Sequence, residues 1–129
     1  MFDALDIGAS GLTAQRMRLD IMAANIANVN TTVDAQGKNN PYRRRFAVLE
    51  AGQSGDKSKP GVHVREVKQD TSPFIPKWDE DKQQWIQTPN VDTTTEFVNS
   101  IEASRAYEAN VTMMEVTKSM INASLRLLA

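Results

Sequence analysis

A single histidine, His63, and the absence of cysteine narrow the chemistry open to this 129-residue chain. Without cysteine there is no disulfide framework, thiolate metal site or thiol nucleophile. One histidine allows no multi-histidine metal centre. No serine or acid stands at a motif spacing that would make His63 a general base. It falls in the alternating segment GVHVREVK, where a strand histidine is the simpler reading. Asp79, Glu80 and Asp81 lack the Asx–glycine spacing of a calcium loop and read as a solvated turn between Trp78 and Trp85. Arg43, Arg44 and Arg45 stand between Tyr42 and Phe46, mixing cations and aromatics as a nucleic-acid surface does. On a chain of 15 basic and 16 acidic side chains, that run is equally an inter-subunit salt-bridge patch. There is no glycine-rich phosphate loop, zinc spacing or nucleophile elbow. The chain therefore reads as a non-enzyme with no cofactor and no catalytic or metal-binding residues. An interaction protein fits better.

The elements that would carry such an interaction follow from proline. All five prolines lie between Pro41 and Pro89, and five of the eight aromatics fall there too. Proline removes a helix donor and clashes with the preceding turn, so the flanking segments are free to be long helices. Three parts result: residues 1–40, an N-terminal helical arm and its loop; 41–89, a small β-rich module; and 90–129, a C-terminal long helix. Residues 41–89 are net basic and both arms net acidic.

In the first arm Leu5, Leu12, Leu19 and Ile26 are seven apart, and Met22 and Val29 follow at plus three. That is coiled-coil spacing. Gly8 and Gly11 weaken its first turns by roughly 1 kcal/mol each relative to alanine. The expected firm helix is therefore 13–27, with Asn28, Asn30, Thr31 and Thr32 as a stop. In the second arm Thr93 and Glu96 stand at capping-box spacing. An apolar stripe follows through Phe97, Ile101, Tyr107, Val111, Met114, Ile121, Leu125 and Leu128, with Arg105 and Asn110 beside it. The first arm is long enough to cover about half of it, which leaves apolar surface for a partner. In the middle, 42–50 and 61–68 alternate as strands, 52–61 is a glycine–serine–lysine loop, and Trp85-Ile86 opens a third short strand. The expected fold is mainly α: two long terminal helices packed as a coiled coil, with a small β-rich insert between them.

No apolar run approaches the roughly 20 residues of a membrane span. The first ten residues, MFDALDIGAS, lack a basic region followed by an apolar core, so no cleavable signal peptide is expected. Two functional classes remain, a self-assembling structural subunit and a soluble helical adaptor that binds partner helices.

Gly11-Leu12-Thr13-Ala14-Gln15-Arg16-Met17-Arg18-Leu19-Asp20, followed by Ala24-Asn25-Ile26-Ala27-Asn28-Val29-Asn30-Thr31-Thr32, resembles the N-terminal signature of bacterial flagellar axial proteins of the rod and hook. Pro89-Asn90-Val91-Asp92, Glu96 and the run from Ser104 to Val111 resemble their C-terminal segment. The short length and Pro41-Tyr42-Arg43-Arg44 point to a proximal-rod member. The region from Trp78 to Ile86 departs from the usual pattern, lacking a Pro-Gly-His-Pro-like turn.

The resemblance implies a rod subunit that packs against copies of itself and other flagellar rod proteins. Its terminal helices would form an inner coiled-coil layer, with the middle facing outward. It also implies export by the flagellar type III apparatus into the periplasmic part of the basal body, with no nucleic-acid partner and no direct membrane insertion. The implied assembly interface is Leu5, Leu12, Leu19, Met22, Asn25, Ile26, Asn28, Asn30, Phe97, Ile101, Arg105, Tyr107, Asn110, Val111, Met114, Ile121, Leu125 and Leu128. Ala23, Ala24 and Ala27 would let helices approach closely, and Asn25, Asn28 and Asn30 would bridge to neighbours. Ile121→Asp places an unpaired charge in that seam and is expected to block rod formation, whereas Asp81→Ala is tolerated. Electron microscopy of basal bodies from complemented deletion strains checks both.

Overall fold

The computed structural model describes residues 2–52 and 61–129. Helix α1 (Phe2–Ala27) and helix α2 (Thr93–Leu128) flank four strands: β1 (Arg45–Ala51), β2 (Val62–Gln69), β3 (Ile75–Asp79) and β4 (Gln84–Thr88). The strands form two separate antiparallel hairpins, β1–β2 and β3–β4.

Both helices end where side chains take over backbone groups. Asn28 stops α1: its amide and its side-chain nitrogen both donate to the Ala24 carbonyl, and Thr31 bonds back to it. The N-cap of α2 is Asp92, not the Thr93 of the expected capping box. The Asp92 carboxylate accepts from the Thr94 amide at 3.0 Å and the Thr95 amide at 3.5 Å. With those orphan donors satisfied, Glu96 is released from capping and turns inward.

The helices run antiparallel. Gly8 faces Met114, Gly11 faces Asn110, and Asn25 meets Glu96. Gly8 and Gly11 do not interrupt α1, which is helical from Phe2 onward. A Cβ at Gly8 would stand 2.8 Å from Met114 Cγ, and one at Gly11 2.8 Å from Asn110 Nδ2. The cost of glycine in a helix is therefore exchanged for a close helix–helix approach. The buried face of α1 is Gly8, Gly11, Ala14, Met22 and Asn25, whereas Ala23, Ala24 and Ala27 are exposed. At this register α1 runs out level with about residue 120, so the last turns of α2 have no intramolecular helix beside them.

The seam between the helices is small and polar. Two lines of α2 turn toward α1: Glu96, Ala103, Asn110 and Thr117, and beside them Ser100, Tyr107, Met114 and Ile121. Phe97 and Ile101, expected in the seam, lie on the opposite side of their turns and are exposed. The reason is angular. Residues one apart on a helix differ by about 100°, so a seam that takes Glu96 and Ser100 rotates Phe97 and Ile101 outward.

The β1–β2 hairpin packs on α1. Its register shifts at Val48/Leu49, so the strand bends over the helix. The Val62 amide donates to Ser10 Oγ at 3.1 Å, tying the hairpin to α1. The strand expected over 42–50 begins only at Arg45, because Tyr42 and Arg44 direct their amides to Thr31 and Asn90. Residues 53–60 of the expected loop lie outside the described residues.

The β3–β4 hairpin meets neither helix among the described residues. Strand β4 contains the expected Trp85-Ile86, while its partner β3 was not foreseen, because Pro76 reads as a breaker. Pro76 is tolerated because its position points away from β4, where no ladder amide is needed; the Gln87 amide opposite is likewise directed outward, to Asn39. Trp78 and Trp85 sit directly across from each other in an edge-to-face pair, with ring centroids 5.6 Å apart. Asp79 Oδ1 accepts from the Asp81 and Lys82 amides, so the acidic run is a turn. No helix is long and apolar enough to cross a membrane among the described residues.

Gly61 has φ +75°, and a Cβ there would press against Ser10 Oγ and the Ile7 backbone. Gly61→Ala is expected to destabilise the chain by about 1–3 kcal/mol, read as a lowered thermal midpoint by circular dichroism.

Candidate assembly surfaces and the polar node behind them

A buried carboxylate joins the two arms to the middle module. The Glu96 side chain is 0% exposed. Its Oε1 accepts from Arg44 Nε, and its Oε2 from Asn25 Nδ2 at 3.3 Å. Asn25 is equally buried and uses its whole amide. Its nitrogen also donates to the Arg45 carbonyl at 2.8 Å, and its oxygen accepts from Tyr42 Oη at 2.9 Å and the Arg45 amide at 3.1 Å. Arg44 reaches on to Asp70 at 3.3 Å. Asn90 holds the Arg44 amide and the Asp70 and Ser72 carbonyls. A side chain or backbone from every part of the chain converges here.

The titration behaviour follows from these contacts. Burial pushes the Tyr42 phenol above its ordinary value; Arg45 opposes this and Glu96 adds to it. Hydrogen bonds from Ser72 hold the Asp70 carboxyl below the usual range against partial desolvation, and Arg44 contributes. The Asp70 contribution to stability is present above about pH 4 and is lost as pH falls through the lowered value.

The arginine run is used inside the chain. Arg44 belongs to the node. Arg43 donates to the Asp70 and Ser72 carbonyls and lies 4.2 Å over the Phe74 ring. Arg45 is exposed, with its guanidinium 5.8 Å from the Tyr42 ring centroid. Arg43 and Arg44 thus spend part of their hydrogen-bonding capacity within the chain. His63 pairs across the hairpin with Glu50 at 3.5 Å. No group of three or more His, Cys, Asp or Glu residues is placed to hold a metal among the described residues.

The expected interface residues divide by face. Met22 and Asn25 are buried within the chain, and Asn25 bridges to Arg45 and Glu96 rather than outward. Leu5, Leu12, Leu19, Ile26, Tyr107, Asn110, Val111, Met114 and Ile121 are half-buried along the helix pair. Asn28 is half-buried and satisfied by its own turn, while Asn30 is exposed. Phe97, Ile101, Arg105, Leu125 and Leu128 face outward. Val98, Val116, Met120 and Leu127 are exposed with them. Glu96 and Arg44 were missed as functional residues. Their signal was present as an acid one turn into a helix already capped by Asp92.

Glu96→Ala strands the Arg44 guanidinium and the Asn25 amide and is expected to cost about 3–5 kcal/mol. Glu96→Gln, which keeps the shape, costs less. Urea denaturation of both variants followed by circular dichroism checks the ranking.

Comparison with known proteins matches these parts. A family model described as "Flagella basal body rod protein" matches residues 5–34, and one described as "Flagellar basal body rod FlgEFG protein C-terminal" matches residues 82–127. Flagellar basal-body rod protein FlgC of Borreliella burgdorferi is 34% identical, over 99% of this chain and 97% of its own. FlgC of Bacillus subtilis and FlgC of Yersinia enterocolitica are each 35% identical, over 98% of this chain and 97% of theirs. With both arms matched in order and relatives aligned end to end, the chain belongs to the FlgC family and is a structural subunit of the bacterial flagellar basal-body rod, not an enzyme.

Proposed function

We propose that this subunit builds the proximal part of the rod by coiled-coil packing of its terminal helices against those of neighbouring subunits. The observation that carries this is a pair of outward apolar patches on α2, Phe97 to Ile101 and Val116 to Met120, separated by the exposed Glu102, Arg105 and Glu108. Phe97, Val98, Ile101, Val116 and Met120 are each more than half exposed in the lone chain. Each contributes roughly 1.5–3 kcal/mol when fully buried, and clustered exposed apolar side chains of this kind mark interaction surfaces. Its partners are copies of the chain and other rod proteins, with Arg105 and the half-buried leucines of α1 at the edge of the contact. Residues 1–40 and 90–129 act as the assembly arms and 41–89 as the outward module. The inner seam supports this division, because it holds the two helices together while leaving Phe97, Val98, Ile101, Val116 and Met120 for neighbours. Delivery by the flagellar type III apparatus without a cleaved signal, and residence in the periplasmic span of the rod, complete the reading.

Phe97→Glu with Ile101→Glu alters exposed positions only. The purified variant is expected to keep wild-type helix content and thermal midpoint, while a strain carrying it builds no rods and does not swim. Wild-type basal bodies in that strain would remove this face from the interface.

A further inference from the structure

The β3–β4 hairpin meets neither helix among the described residues and is tied to the preceding loop through Asn39 and Gln87. One of its faces, carrying Ile75, Lys77 and Ile86, looks across an open groove of about 700 Å³ at Val29 and Val91. Its lining is mixed: Val29, Ile75, Ile86, Pro89 and Val91 stand among Asn30, Thr32 and Thr88, and Ile75 is half exposed. It carries charges of both signs, Lys77 and Asp79 two residues apart on β3 and Glu80 in the turn that follows. An isolated two-stranded hairpin is marginal in water, so an apolar face left open calls for an occupant.

The same chain displays a surface of matching chemistry at its far end. Leu125, Leu127 and Leu128 are 60%, 87% and 84% exposed, with Arg126 among them in the last turn of α2. These turns project past the end of α1, so docking them displaces nothing. Pro89 and Val91, just before α2, border the groove. A 36-residue helix spans about 54 Å, so groove and tip lie at opposite ends of the subunit.

Resting on the assembly proposed above, we infer that the groove takes the last turns of α2 from a second copy of this chain. The leucines pack against Val29, Ile75 and Ile86. Arg126 meets Asp79 and Glu80, and Lys77 faces the carbonyl end of the incoming helix, where a cation is favoured. The contact is head-to-tail, so it propagates along an axis and does not close into a two-fold dimer.

The absence of native cysteine makes this directly testable in the full chain. Asn30→Cys marks the groove and Leu127→Cys the tip; Thr32→Cys is a second groove position. Mixed oxidation of the two single variants is expected to yield the groove–tip disulfide well above either like pair, and the double variant to yield a ladder of oligomers. Asp79→Lys with Glu80→Lys lowers the groove–tip yield about tenfold, and Arg126→Glu on the tip partner restores it. Each variant is checked for wild-type circular dichroism. A statistical mixture of disulfides, tip–tip products alone, or a yield unmoved by charge reversal overturns the inference. If rods still form while the groove–tip bond is absent, this contact fails and the assembly role stands. If Phe97→Glu with Ile101→Glu leaves rods intact, the helix-face reading fails instead.

Discussion

The burial of one carboxylate governs the rest of this structure. Glu96 lies at the first turn of α2, fully out of water, and an isolated buried charge costs many kcal/mol. It is tolerated because Arg44 and Asn25 reach it together. Asn25 comes from the last turns of α1, and Arg44 from the segment entering β1. Satisfying Glu96 therefore sets the longitudinal register of the two arms and pins the middle module at their open end. Slippage of either helix by one turn would strand the ion, so the node supplies specificity of register more than net stability.

That register explains the character of the inner seam. Once Glu96 faces α1, Ala103 and Asn110 follow at seven-residue steps, with Asn110 opposite Gly11. Small residues let the backbones approach, and little hydrophobic area is buried between them. Tyr107, Met114 and Ile121 flank the seam, while Phe97, Val98, Ile101, Val116 and Met120 are left on the outside. A helix pair closed by polar contacts and open on its apolar face is a subunit whose burial is finished by its neighbours, as befits a rod protein. The hairpins are protected differently. Pro76 offers no amide on the outer edge of β3, and Asn39 bonds both the amide and the carbonyl of Gln87 on the edge of β4. Uncontrolled edge pairing is thereby blocked, while the faces stay available.

Much of this was legible in the residues. Proline placement separated arms from insert, alternation located β1, β2 and β4, and the turn chemistry of Asn28 ended α1. The sequence spacing placed Leu12, Leu19, Tyr107, Met114 and Ile121 in an assembly seam; in the lone chain they are half-buried along the helix pair. Strand β3 was hidden, because an edge proline looks like a breaker until its partner is known. The division of the apolar stripe was hidden too, since heptad counting does not tell an intramolecular seam from an outward face one residue away.

Local rules, then, were settled by the sequence: helix where no proline intervenes, strands where side chains alternate, turns at asparagine and glycine, and family membership through motifs at both ends. These depend on residues within a turn or two of each other. Only the tertiary structure decided which face each helix keeps and that Arg44 reaches the buried Glu96. Glu96 and Arg44 are 52 residues apart and Asn25 and Glu96 are 71 apart. No local spacing links residues so distant, and their pairing exists only once a buried charge has to find its counterion.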